Sequence, residues 1–266
     1  MIRSVGPLMR VYFYVIFGIL GACMGSFLNC CAWRIVHHES VLKGRSHCDA
    51  CGHILGVLDL IPVFSYLIFR GRCRYCGKKF TSRHFWAEIF SAAVFVSALA
   101  KWDLSLELIQ YLLFAMILLA VSFADLEATI IPDRFIIAAI VIKIIFLLLG
   151  ENKLQALLFS AIGGFAVAGG LLLVVTVFEK ITKKEAMGGG DIKLLFVTGL
   201  YLGWKNNLFG LLLGCVFGII FGLFAQRRRG HEEGSVAFPF GPSIALGAWC
   251  ALLFGDAALQ AYLSLF

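Results

Sequence analysis

Two aspartates and four cysteines carry the chemistry that this chain can be read for. Asp125 ends an apolar run over 111–124 and opens Asp125-Leu-Glu-Ala-Thr-Ile-Ile-Pro-Asp133. Asp191 stands in Gly188-Gly-Gly-Asp191-Ile-Lys193, ahead of another apolar run. Carboxylates at bilayer depth are costly and therefore concentrated at working sites. Two that face each other can share one proton, which leaves one acid and one base for hydrolysis. The cysteines form two C-x2-C pairs, Cys48/Cys51 and Cys73/Cys76, followed by Gly52 and Gly77. Paired short loops of this kind present four thiolates to one tetrahedral zinc ion. With four protein ligands no coordination position is open, so such an ion would be structural, folding a loop too small to build its own core. His47 and His53 flank the first pair as substitute ligands.

The elements that position these residues read as membrane helices. The 266-residue chain is 61% apolar and 15% charged, against about 25% charged in a soluble domain. About 20 apolar residues span a bilayer. Eight runs qualify or come close, at 11–33, 86–101, 105–124, 135–149, 154–178, 192–204, 207–225 and 236–254, the fourth and sixth being short. The fold expected is therefore an all-α polytopic membrane protein of about eight spans with a small zinc-binding cytosolic loop domain. Its divisions would be 1–33 (first span), 34–85 (loop) and 86–266 (multi-helix membrane domain). Sixteen Lys and Arg fall on the side that holds the 34–85 loop, and five on the other. Positive residues stay in the cytosol, so the loop and both aspartates are expected at the cytosolic face. This asymmetry explains the net charge of +7 without any nucleic-acid partner. Leu20-Gly-Ala-Cys23 resembles a lipoprotein processing site, but cleavage there would export the basic loop, against the charge rule.

Each residue also has a plainer reading. Asp191 could be a helix N-cap at the positive end of a dipole. The three glycines before it, which permit close backbone approach, point instead to a site where a substrate strand lies. Asp133 reads as a cap for the helix after Pro132, Lys193 as either a carboxylate partner or a snorkelling side chain, and Lys143 as snorkelling outward. Cys23, Cys30, Cys31, Cys215 and Cys250 read as small buried hydrophobes. Gly210, Gly214, Gly218 and Gly222 make one helix stripe for close packing. A secondary transporter using the two aspartates as an ion relay is the rival from another class, and a zinc-stapled scaffold is a third. A transporter needs no metal-stapled loop, and the two halves show no inverted repeat.

The motifs, in order, resemble the type IV prepilin peptidases, the bifunctional leader peptidase/N-methyltransferases. They are Gly25-Ser-Phe-Leu-Asn29 with Arg34, Arg45-Ser-His-Cys48, Asp59-Leu-Ile-Pro62 with Ser65, Arg70-Gly-Arg-Cys73-Arg-Tyr-Cys76, Glu88, Asp125-Leu with Ile131-Pro-Asp133, Gly188-Gly-Gly-Asp191, and Pro239-Phe-Gly-Pro242 with Ala245-Leu-Gly247. The resemblance implies that Asp125 and Asp191 are the catalytic pair of a GxGD-type aspartyl protease in a bacterial inner membrane. Its substrates would be type IV prepilins or the pseudopilins of type II secretion. The loop would methylate the new amino terminus with S-adenosylmethionine, with Glu88 the one residue singled out for the donor region. Asp49 and His84-Phe85 depart from the family pattern, which often has Pro after the first Cys and Tyr-Pro before the Glu88 position.

Overall fold

The computed structural model describes residues 6–41, 44–48, 50–183, 187–229 and 239–265. Arg3, Lys43, Asp49, Lys184, residues 236–238 and the side chains of Arg228 and Arg229 lie outside the described residues. Regular structure among the described residues is helical, apart from two isolated β-bridges. The long helices are α1 (Pro7–Val36), α3 (Arg83–Trp102), α4 (Leu106–Ala128), α5 (Asp133–Leu149), α6 (Lys153–Thr182), α7 (Gly189–Arg229) and α8 (Gly241–Leu263); α2 (Phe64–Ile68) is one short turn of the loop. Each apolar run of the sequence overlaps one of these helices. The runs 192–204 and 207–225 share α7, divided at Gly203, whose φ of 72° no helical residue adopts. Six helices are long and apolar enough to cross a membrane. The 17 residues of α5 fall short; at 1.5 Å per residue they reach about 25 Å, so α5 crosses only with little tilt.

The chain clusters into two compact units, Met1–Leu112 and Leu113–Phe266. In the first, α1 packs on α3 through small residues. A side chain at Gly21 would sit 2.7 Å from the Ser91 carbonyl, and one at Gly25 would run into Ser91 and Ala87. Glycine is what lets the two backbones approach, the usual device where lipid supplies no hydrophobic drive between helices.

In the second unit α7 packs against α6, α8 and α5. Gly163 of α6 meets Gly199 and Gly203 of α7, while Gly210 and Gly214 of α7 meet Gly247 and Ser243–Ile244 of α8. Gly218 lies under the Phe240 ring, but Gly222 faces open space, so the glycine stripe works over three of its four positions. The Gly203 break is held from inside. Asn207 donates to the Leu195 carbonyl at 3.0 Å and accepts from Thr198 Oγ1 at 2.8 Å, with both side chains fully buried. In a low-dielectric interior such a pair must be satisfied locally, and here it bridges the interrupted ladder.

Several single-residue expectations change. Lys143 does not snorkel outward; its ammonium lies 5.2 Å from the Tyr201 ring centroid. Tyr201 in turn stacks on Phe114 at 3.8 Å and donates to the Ala139 carbonyl at 2.8 Å. A cation–π contact replaces the headgroup because the ring is nearer than the helix end. Of the five span cysteines only Cys31 is buried, while Cys23 and Cys215 are exposed on helix faces. A small thiol tolerates a lipid-facing position as readily as a packed one.

The packing carries a direct test. Gly199→Val overfills the α6–α7 contact and should cost about 1–3 kcal/mol, read as a lowered Tm in detergent. Gly222→Val, which meets nothing within 4 Å, should leave Tm within a degree or so of wild type apart from its small propensity effect.

Candidate functional site

Asp125 lies near the end of α4 with 5% of its surface exposed. Its Oδ2 accepts the Gly241 backbone N–H at 2.8 Å. Gly241 is the first residue of α8, so the carboxylate sits at the positive end of that helix, where the leading N–H groups have no partner of their own. The contact also requires glycine, since a Cβ at 241 would lie 2.8 Å from Oδ2. Gly241 belongs to the Pro239-Phe-Gly-Pro242 motif, and the sequence reading gave that motif no role. A Gly-Pro pair opening an apolar helix is the signal that could have found it.

Asp191 is not an N-cap. Helix α7 begins at Gly189, so Asp191 stands in the first turn, with its N–H bonded to the Gly188 carbonyl at 3.0 Å. Its Oδ2 turns back over Gly188, 3.3 Å from where a Cβ would be. Gly190 lies against Ile131, whose Cβ is 3.1 Å from the place of a side chain there. The glycines thus bring the start of α7 onto the Ile131-Pro-Asp133 turn, and the charges of Asp191 and Asp125 interact. Asp133 is not a cap either; no side-chain capping bond is made, and its Oδ1 takes the Lys193 ammonium at 2.7 Å. That pair is more than half exposed on both sides, so it sets register more than stability. The structure therefore places two carboxylates and a helix N-terminus within one unit, and leaves Asp133 paired with Lys193.

The four cysteines meet in the Met1–Leu112 unit. Their sulfurs all lie within 4.8 Å of one another, with Cys48 and Cys76 3.9 Å apart. Four thiolates at about 2.3 Å from a tetrahedral zinc stand about 3.8 Å from each other, so the set fits such an ion. The two pairs are built alike. Cys48 N–H bonds the His53 carbonyl and Gly52 N–H the Cys48 carbonyl; Cys73 bonds Lys78 and Gly77 bonds Cys73 in the same way. The left-handed φ of 68° at Gly52 and 73° at Gly77 closes each turn, a conformation that glycine adopts without strain. Backbone N–H groups of Ala50 and Cys51 lower the Cys48 thiol, while Cys48 and Cys76 raise its partner Cys51, so within the pair the first thiolate forms at Cys48. His53 is not a ligand here; its ring lies on Tyr75 at 3.6 Å. His47 reaches the Arg45 carbonyl.

Glu88, at the start of α3, is 7% exposed. Its Oε2 accepts the Val63 N–H at 2.7 Å, and Val63 has a φ of 64°. A β-branched residue in the left-handed region is strained and needs an outside hold, which Glu88 provides. Asn29 of α1 meets His84 Nδ1 at 2.7 Å, a pairing between a family motif and one of this chain's departures that no spacing rule announces.

Residues 19–102 match the family model described as bacterial peptidase A24 N-terminal domain, and residues 112–223 match that of the type IV leader peptidase family. Relatives called prepilin leader peptidase/N-methyltransferase share similar identity along most of the chain. That of Aeromonas salmonicida (strain A449) is 34% identical, covering 85% of this chain and 76% of its own. That of Pseudomonas putida is 32% identical, covering 92% of each. That of Bacillus subtilis (strain 168) is 32% identical, covering 93% of this chain and 96% of its own. No solved structure matches. With both halves matched in the order the motifs run, the chain belongs to the type IV leader peptidase family.

Proposed function

We propose that this chain is a membrane-embedded aspartyl peptidase that removes the short basic leader from type IV prepilins or pseudopilins, and that its loop methylates the amino terminus so exposed. The observation that carries the reading is a carboxylate buried in an apolar helix, Asp125, with a second, Asp191, within reach of its charge. The enzyme would lie in a bacterial inner membrane with the site at the cytosolic face; the excess of Lys and Arg on the side of both carboxylates supports this reading.

In this mechanism Asp125 and Asp191 share one proton and bind one water. The ionised carboxyl takes a proton from the water as its oxygen attacks the scissile carbonyl. The protonated carboxyl hydrogen-bonds the developing oxyanion, then protonates the leaving amine. The protons belong to the pair and not to either residue. The Gly241 N–H holds one oxygen of the Asp125 carboxyl, Oδ2, which leaves Oδ1 for water and substrate. Gly189, with nothing within 4 Å of where its side chain would be, leaves room for a peptide strand close to Asp191.

Cys48, Cys51, Cys73 and Cys76 would hold a zinc ion whose four filled positions would make it a fold-stabilising centre of the loop. S-adenosylmethionine, when bound, supplies the methyl group.

Two measurements check this. Purified wild type in lipid should cleave a prepilin, and either Asp125→Asn or Asp191→Asn should lower the rate by at least about a hundredfold with insertion intact; near-wild-type cleavage by inserted Asp191→Asn would refute its role. Cys48→Ser should lower bound zinc, read by atomic emission on the purified protein, and should abolish pilin methylation while cleavage continues. Full methylation by zinc-free protein would defeat the metal assignment.

A further inference from the structure

Peptide cleavage leaves one cavity of the Met1–Leu112 unit without a task. It is a cleft of about 270 Å³ among the end of α1, the loop and the start of α3. Its walls include Trp33 and Arg34 of α1, Tyr66 and Phe69 around α2, and Phe85 of α3. Concave walls that set several aromatic faces beside convergent charged groups, here Arg34, Arg72, Arg74, Glu39, Asp59 and Glu88, are the mark of a small-molecule site.

The walls are built to stay in place. Tyr66 stacks on Phe85 at 4.9 Å. It lies across Gly71, where a Cβ would come within 2.7 Å of its ring. Arg34 is tied by both terminal nitrogens to the carbonyls of Ser40, Val41 and Gly44. Glu88 lines the same cleft, but one of its oxygens is committed to the strained Val63 turn. It holds the wall and is not the group best placed for a ligand.

Asp59 is that group. Its Oδ2 accepts the Gly56 N–H at 2.9 Å and the Tyr75 hydroxyl at 3.3 Å. Its Oδ1 is buried and has no hydrogen-bond partner among the described residues. A buried acceptor left unmatched costs free energy and calls for a partner from outside the fold. Tyr75 stands between Cys73 and Cys76 and stacks on His53, so the metal-binding turn itself aims Asp59. A carboxylate beside aromatic faces accepts a cationic nitrogen well, because rings and carboxylate both attract positive charge.

We propose that this cleft is the S-adenosylmethionine site and that Asp59 Oδ1 binds the ammonium group of the donor's methionyl end, with the aromatic walls taking the adenine. The inference rests on the methyltransferase part of the proposed function. It replaces Glu88 by Asp59 as the ligand-contacting carboxylate and makes Glu88 a positioning residue.

The test is binding, independent of turnover. The probe is S-adenosylhomocysteine, which keeps the ammonium and the adenine, titrated calorimetrically into purified full-length protein in detergent. Wild type should bind it, and Asp59→Asn should weaken binding at least tenfold with zinc content and Tm unchanged. Adenosine, which lacks the ammonium, should bind both proteins alike. Should Asp59→Asn lose zinc, Tyr66→Leu reports on the same cleft from its aromatic wall and should also weaken binding tenfold. Wild-type affinity in folded Asp59→Asn overturns the proposal. If wild type methylates pilin while both variants bind normally, the donor site lies elsewhere and the methyltransferase reading stands. If wild type neither binds the probe nor methylates pilin, that reading fails and this proposal fails with it.

Discussion

A carboxylate inside an apolar helix has to be given a partner before anything else in its unit can be arranged. At Asp125 the partner is a backbone N–H at the start of α8, 2.8 Å away. Helix N-termini carry orphan donors and a partial positive charge, so one contact satisfies two needs. It also imposes a geometry. The start of α8 must come to the end of α4, so residue 241 must lack a side chain. Further along, α8 must lie close on α7, which the reciprocal glycines at 210, 214 and 247 permit. The second carboxylate meets a similar constraint. Asp191 reaches the neighbourhood of Asp125 because Gly190 lets α7 start against Ile131. The glycines at 241 and 190 are thus tied to seating the two carboxylates in a medium that does not solvate them.

The loop of the other unit follows a different logic. It buries little apolar mass, only Cys48 and Cys73 among its described apolar residues, and is organised from a metal-type turn outward. The Cys73–Cys76 turn presents Tyr75, Tyr75 meets Asp59, and Asp59 caps the short turn at Gly56. From the other side, Glu88 of α3 fixes Val63. Two helices and two cysteine turns thereby hold a segment that could not fold on burial alone. The cleft they enclose owes its shape to these polar ties.

Much of this was legible in the sequence, for physical reasons that differ by element. The helices were visible because lipid demands apolar runs, and each of the eight runs overlaps a helix. The cysteine cluster was visible because tetrahedral thiolate ligation leaves a spacing signature, and the four sulfurs do converge. What stayed hidden depends on register between distant segments. Asp125 and Gly241 are 116 positions apart, and Asn29 and His84 are 55 apart; no local pattern encodes either pairing. The same limit misplaced Asp133 as a cap, since its partner Lys193 arrives from α7, 60 residues on. It turned Lys143 outward because the Tyr201 ring beside it could not be foreseen. Glu88 stood out by its place in a motif, but only the Val63 contact shows that the residue braces a turn.

That Asp125 and Asp191 act as one catalytic unit is most directly tested by comparing three variants in one assay. Prepilin cleavage rates would be measured for Asp125→Asn, Asp191→Asn and the double variant, each reconstituted in lipid with equal insertion. Two groups sharing one proton and one water fail together. The double variant should therefore be no slower than either single one, all three retaining the same small residual rate. Losses that multiply in the double variant would mean the carboxylates act in separate steps, and would contradict the shared-proton pair.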